Sequence, residues 1–378
     1  MIYLDNSATT KPYQEVLDSF LTVSTDFFAN PSSLHSLGGK AEKLLHRSRE
    51  NIASLLGVDD KEVIFTSGGT ESNNLAIKGT AMAKKHLGKH LITTSIEHPS
   101  VHFAFQSLEK DGFQVTYLPV DTSGKVTPQQ VEAAITTETI LVSVMHVNNE
   151  TGVIQPIESI AEHVAKYPRV TLHVDYVQGI GKVPLSLTNI DLCTMSAHKF
   201  HGLKGTGMLI AKAGTKLTPL QHGGEQEWEL RSGTENVAGI VAMTKALRMT
   251  LEASGKSQSH MEALKNFCIS ELLNIPAVHV NTPVHHSAPH IVNFSIPGLK
   301  SEVLVHTLGN KNIFVSTTSA CSSKRKTPSR TLTAMGTTQA IADSSIRISM
   351  NAETTKDEIE EFLKELKNAI YTIKEVMR

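Results

Sequence analysis

The chain alternates between amphipathic stretches and short runs of apolar, β-branched residues, and few folds accommodate that alternation. LLHRSRENIASLLG places leucines and isoleucine at helical spacing, and EVIFTSG follows it as a strand ending in a turn. KHLITTSIEH, ETILVSVMHV, VTLHVDYVQ and DLCTMSAHK are further short runs, separated by helical or loop pattern. Strands that alternate with helices predict βαβ units, and hence an α/β fold with a mainly parallel sheet covered on both faces. Such sheets bind ligands at the loops beyond the carboxyl ends of their strands. SGGTESNN, SIEHPSV, HVNNETG, HVDYVQ and SAHKFHG all fall at or just after such ends. Each alone is ordinary turn chemistry. Five together predict one site.

A length of 378 residues exceeds what one core usually supports, so two packed domains are expected. The polar stretch LEASGKSQSH, followed by the amphipathic MEALKNFCISELLN, places the boundary near residues 250–260. The final TTKDEIEEFLKELKNAIYTIKEVMR reads as a surface helix on a small α+β domain. A formal net charge of -1 gives no general reason to bind nucleic acid or an anionic membrane. No run approaches the roughly 18–20 apolar residues of a spanning helix. MIYLDNSATT lacks the charged and apolar regions of a secretory signal, so a cytoplasmic location is expected.

The three cysteines include no CxxC pair, which fits a reducing compartment. Cys193 in an apolar strand and Cys268 on the apolar side of LKNFCISELL read as small buried hydrophobes. Cys321 differs: STTSACSSKRKTPSRTLTAMG surrounds it with Ser and Thr, and Lys324, Arg325, Lys326 and Arg330 are close by. Positive charge favours the thiolate, the nucleophilic form, although a basic run also suits a docking patch. Among 18 histidines none forms HExxH, and His285, His286 and His290 lack a spacing that converges ligands, so no metal site is expected.

Asp175 and Lys199 each end a predicted strand. A carboxylate that keeps a pyridinium nitrogen protonated, with a lysine that holds the cofactor covalently, is what a pyridoxal-phosphate site requires. Taken alone, the two read equally well as surface charges. The glycines after Lys199 in SAHKFHGLKGTG permit close backbone approach.

LDNSATT, SGGTESNNLAIKG, EHPSV, MHVNNETGVIQ, HVDYVQGIGK, SAHKFHGLKGTG, RSGTEN, SACSS and SSIRIS occur in that order along nearly the whole chain. In this series the chain resembles the cysteine desulfurases of the class V aminotransferase group, and specifically those with a long cysteine loop. The resemblance implies fold type I: a large domain with a mainly parallel seven-stranded sheet (12–255) and a smaller α+β domain from 1–11 and 256–378 that carries the cysteine loop. It implies pyridoxal 5′-phosphate as cofactor and L-cysteine as substrate. Lys199, Cys321 and His98 become the catalytic residues, with His98 also stacking on the cofactor ring. Gly69, Thr70, Ser196 and His198 become phosphate ligands, joined by Thr234 across a homodimer interface. Asp175 meets the ring nitrogen, Gln178 the phenolic oxygen, and Val177 the ring face opposite His98. Asn149 lies between the phenolic oxygen and the substrate carboxylate, which Arg347 takes. Tyr176 departs from the small residue common at its position, so its direction bears on the packing around Asp175. Sulfur would pass from a persulfide on Cys321 to an acceptor protein, an iron–sulfur scaffold or a tRNA-thiolation enzyme among the candidates. A selenocysteine lyase or another carbon–sulfur lyase on the same fold stays open, as does a cofactor-binding docking or regulatory protein without turnover.

Overall fold

The computed structural model describes residues 1–317 and 328–376. Cys321, Lys324, Arg325 and Lys326 therefore lie outside the described residues. Ile2–Tyr3 (β1) leads the strands in chain order. The main sheet is made by Val63–Thr66 (β2), His90–Thr94 (β3), Gln114–Leu118 (β4), Thr139–Met145 (β5), Thr171–Asp175 (β6), Leu192–Ser196 (β7) and Gly207–Ala211 (β8). Its spatial order is β2-β8-β7-β6-β5-β3-β4. Five strands from β7 to β4 run parallel, and β8 lies antiparallel to both its neighbours. This is the mainly parallel sheet that the alternation predicts, with the seven strands that the resemblance implies. Strands β3, β5, β6 and β7 are buried along their whole length, which is why each reads as a run without polar alternation.

Later in the chain come His279–Val280 (β9), Ile291–Ser295 (β10), Ile313–Phe314 (β11), Ser316–Thr317 (β12) and Ser345–Ser349 (β13). β11 pairs in parallel with β1, and the others form a second sheet in the order β12-β13-β10-β9. The helix Lys356–Val376 packs Ile359, Phe362, Leu363 and Leu366 into the core below this sheet.

The polar stretch at 250–260 is not a loop. It is the middle of one 37-residue helix, Val237–Leu273. Ile240, Met243, Ala246 and Leu247 on its first half join the core of the main sheet. Leu264, Cys268 and Leu272 on its second half join the core of the small sheet. The polar residues fall where the helix leaves one core for the other, and on that change of core we propose the division at 255/256. Cys193 and Cys268 are both buried, and burial pushes both thiols far up. Among the described residues, no helix is long and apolar enough to cross a membrane.

Candidate active site

The carboxyl ends of β6 and β7 deliver the central groups. Asp175 ends β6, while β7 ends at Ser196 and runs into a short 3-10 turn, Ala197–Lys199. His98 caps the helix Pro99–Lys110, with Pro99 in the first turn where its missing N–H costs nothing. Its Nδ1 accepts from the Ser100 N–H at 3.2 Å and meets Ser100 Oγ at 2.8 Å, which leaves the ring proton on Nε2. Burial lowers the pKa of His98; Asp175 opposes this, while Lys199 and Arg330 add to it. The ring is neutral at pH 7.

Asp175 is buried. Its Oδ1 accepts from the Val177 N–H at 3.0 Å and its Oδ2 from Asn73 Nδ2 at 2.9 Å. Asn73 also donates to Ser100 Oγ at 2.8 Å, so Asp175, Asn73, Ser100 and His98 form one chain of hydrogen bonds. Asn73 and Ser100 stand inside SGGTESNN and EHPSV, but nothing local marks them as links. Tyr176 turns into the main core, where its hydroxyl donates to the Val183 carbonyl at 2.8 Å and its ring meets His146. Packing around Asp175 is not disturbed by it.

The segment Asp5–Thr10 crosses the site. Lys199 Nζ donates to the Ala8 carbonyl at 2.9 Å and also to that of Ser7. Gln178 Nε2 donates to the same Ser7 carbonyl at 2.8 Å. His198 Nδ1 meets Thr9 Oγ1 at 3.2 Å, and burial first, then Lys199 and other cations, pushes this imidazole down to about 4. Arg347, buried in β13, donates from Nη2 to Asp5 Oδ1 at 2.9 Å and from Nη1 to the Asn149 carbonyl at 2.8 Å. Asp5 and Ser7 thus tie the guanidinium and the amine to positions two residues apart.

The helix Gly69–Lys84 starts at Gly68, whose φ of 147° is open to glycine. A Cβ on Gly207 would lie 2.5 Å from the Gly68 Cα, so that glycine is required by close approach. Gly69, Thr70 and the buried Ser196 gather here; Ser196 Oγ lies 3.5 Å from where a Cβ on Gly68 would stand. The N–H groups of a first helical turn have no intrahelical acceptor and attract an anion. Val177 packs against the same turn, its Cγ2 3.0 Å from a Cβ built on Gly69. Thr234 is exposed and, among the described residues, hydrogen-bonds to none of the others.

Glu97, next to His98, is 2% exposed. Its Oε1 accepts from Thr94 Oγ1 at 2.7 Å and from the Met145 N–H at 3.0 Å, while Oε2 has no hydrogen-bond partner among the described residues. Burial pushes its carboxyl up from 4.5 to about 8. The unfolded chain releases this proton above its ordinary value and the folded chain keeps it, so the group's contribution is whole below 4.5 and lost as pH rises towards 8. Glu97→Gln should match wild type in urea midpoint at acid pH and exceed it increasingly as pH climbs to about 8. Parallel midpoint curves would mean that the carboxyl ionises in the folded protein.

The family model for aminotransferase class-V matches residues 2–362. The chain belongs to this family. A NifS/IcsS protein homolog of Lactobacillus delbrueckii is 48% identical over 96% of this chain and 95% of its own. The cysteine desulfurase IscS of Clostridium botulinum is 44% identical over 98% and 94%. A solved NifS-like protein superposes with a TM-score of 0.93 at 37% identity, covering 98% of this chain and 99% of that one.

The cofactor of these class-V enzymes is pyridoxal 5′-phosphate, and the residues present fit it. Ser7 Oγ, Asn73 Oδ1 and Gln178 Oε1 are buried around Asp175 and Lys199 without a hydrogen-bond partner among the described residues. Polar atoms orphaned in that way call for a polar ligand. The turn at Gly68 and Gly69 offers main-chain donors for its phosphate.

Proposed function

We propose that this class-V enzyme is a cysteine desulfurase, which converts L-cysteine to L-alanine and holds the sulfur as a persulfide on Cys321 for an acceptor protein. The curated relatives named above support this activity. The structural observation that carries it is how Lys199, Asp175 and Arg347 are held: the segment Asp5–Thr10 ties the amine and the buried guanidinium together, and His98 feels both the amine and the buried Asp175 carboxylate. Lys199, Asp175, Gln178, Ser196, His198, Gly69 and Thr70 would hold the cofactor, with His98 and Val177 on its two faces.

Bound pyridoxal phosphate supplies an electron sink for the bond from the amino acid's α-carbon to hydrogen. Arg347 takes the α-carboxylate, because a planar guanidinium can offer two parallel N–H bonds. Asn149, whose carbonyl orients Arg347, lies beside that carboxylate. The Lys199 amine removes the α-proton as general base and returns a proton at the end of the cycle. His98, neutral and protonated on Nε2, has a proton available for the departing fragment. The Cys321 thiolate attacks the substrate Sγ; the S–S bond forms as the carbon–sulfur bond breaks, and its electron pair stays on carbon. Protonation of that carbon yields alanine, so the half-reaction needs no external oxidant or reductant.

Thr234, exposed and hydrogen-bonded to none of the other ligands among the described residues, is assigned to the phosphate site of a second copy, which makes the working unit a homodimer. A cytoplasmic setting belongs to the same reading, since the acceptor takes the sulfur on a free thiol, and thiols stay free in a reducing compartment. The acceptor is an iron–sulfur scaffold or a tRNA-thiolation enzyme, and Cys321, which hands on the sulfur, lies outside the described residues.

Mass spectrometry after incubation with cysteine should find one added sulfur on the peptide that carries Cys321, and none on those with Cys193 or Cys268. Cys321→Ser should keep its colour and form almost no alanine, a loss of about 10³-fold or more. Undiminished alanine from that variant would point to a lyase that needs no protein persulfide. Native mass measurement of the same sample reads the subunit number, and a monomer of 41.1 kDa would remove Thr234 from the site.

A further inference from the structure

Lys182 has no part in the scheme above, yet its side chain touches the main chain of Lys199. It is only 7% exposed, and its Nζ donates to the main-chain carbonyl of Lys199 at 2.7 Å. Its own carbonyl accepts from Gln258 Nε2 at 2.6 Å. The preceding Gly181 sits so close to the helix Val237–Leu273 that a Cβ there would come within 2.2 Å of Thr250 Cγ2. Residue 182 is therefore fixed at its backbone and at its tip.

No carboxylate among the described residues pairs with this ammonium, and burial brings it down to about 8. At neutral pH it remains a buried positive charge. The titratable groups that feel it are His198 and His201 from the turn after β7 and His290 from the start of β10. All three are held neutral, burial being the largest cause in each. Lys265 and Arg347 add positive charge around His290. The carbonyls of Ser7 and Ala8 accept from the amine of Lys199. Those oxygens favour a protonated amine, which cannot act as base.

We propose that Lys182 is a positioning residue for Lys199: it fixes the backbone of the anchor lysine, and its buried charge keeps the Lys199 nitrogen unprotonated when that nitrogen must accept a proton. The proposal rests on the reading of Lys199 as the amine that holds the cofactor. The physical precedent is general, since a lysine next to another cationic group loses its proton more readily. At the dielectric typical of protein sites, one such charge is worth about one pH unit or more.

The test is a pH titration of the visible absorbance of the holoenzyme, which reports the protonation of the Lys199 nitrogen on the cofactor. Lys182→Gln keeps a donor for the Lys199 carbonyl and removes the charge; Lys182→Arg keeps both. The midpoint should rise by about one pH unit in K182Q and stay at the wild-type value in K182R. The pH at which alanine formation reaches half its maximum should move with it. Equal midpoints in wild type and K182Q would overturn the proposal, as would equal shifts in K182Q and K182R. Lys199→Ala serves as the control: if its spectrum and titration match wild type, the reading of Lys199 fails instead.

Discussion

Replacing Lys199 with alanine is expected to cut alanine formation from cysteine by about 10⁴-fold or more, because one substitution removes both the covalent anchor and the general base. The structure argues that this loss will not come from unfolding. The Nζ of Lys199 donates to main-chain oxygens of Ser7 and Ala8, and the residue is half-buried, so water can replace the missing donor. Each such bond contributes about 1 kcal/mol, which leaves the cooperative melt close to that of the native protein. Reduction with borohydride should fix the cofactor's mass on wild type and not on the variant. Turnover within tenfold of wild type would show that another amine holds the cofactor.

The second large effect concerns Arg347. The substitution Arg347→Lys is expected to lower kcat/KM for cysteine by about 10²-fold or more, mostly through KM. The guanidinium spans Asp5 and the Asn149 carbonyl with its two Nη atoms, and its Nε is buried without a hydrogen-bond partner among the described residues. A single ammonium cannot reach Asp5, Asn149 and a carboxylate together. Cysteamine, which lacks the α-carboxylate, separates the explanations. Wild type should strongly prefer cysteine to cysteamine, and the variant should lose most of that preference. An equal loss on both substrates would mean that Arg347 supports the fold of the site and does not bind the carboxylate.

Much of this arrangement is legible in the residues themselves. Strands buried on both faces read as unbroken β-branched runs, and their polar ends mark the site. β4 escapes notice because QVTYL is an edge strand on which only Leu118 is buried. β8 escapes because GMLIA follows a glycine-rich stretch that reads as a turn. LEASGKSQSH looks like a linker, but apolar residues on either side of it pack into two cores and carry the helix across. Asp175, Lys199, His98 and Arg347 stand in local motifs, and the family resemblance gives each its proposed role. The groups that hold them carry no such mark: Asn73 reaches Asp175 across 102 positions, and Lys182 reaches the Lys199 carbonyl across 17, and no local pattern records either contact.

The segment at Asp5–Thr10 has a consequence for how the protein is made. Asp5 meets Arg347 across 342 positions, Asn6 Nδ2 bonds the Ser349 carbonyl at 2.9 Å, and the Ser7 N–H bonds Ser349 Oγ at 2.7 Å. A ribosome releases every strand of the main sheet well before residue 349 emerges, so the sheet can assemble while synthesis continues. The reactive centre cannot. Its loop-closing contacts span 342 positions or more and become possible only after residue 349 has emerged, so a product cut short before that residue would carry the sheet without the chemistry.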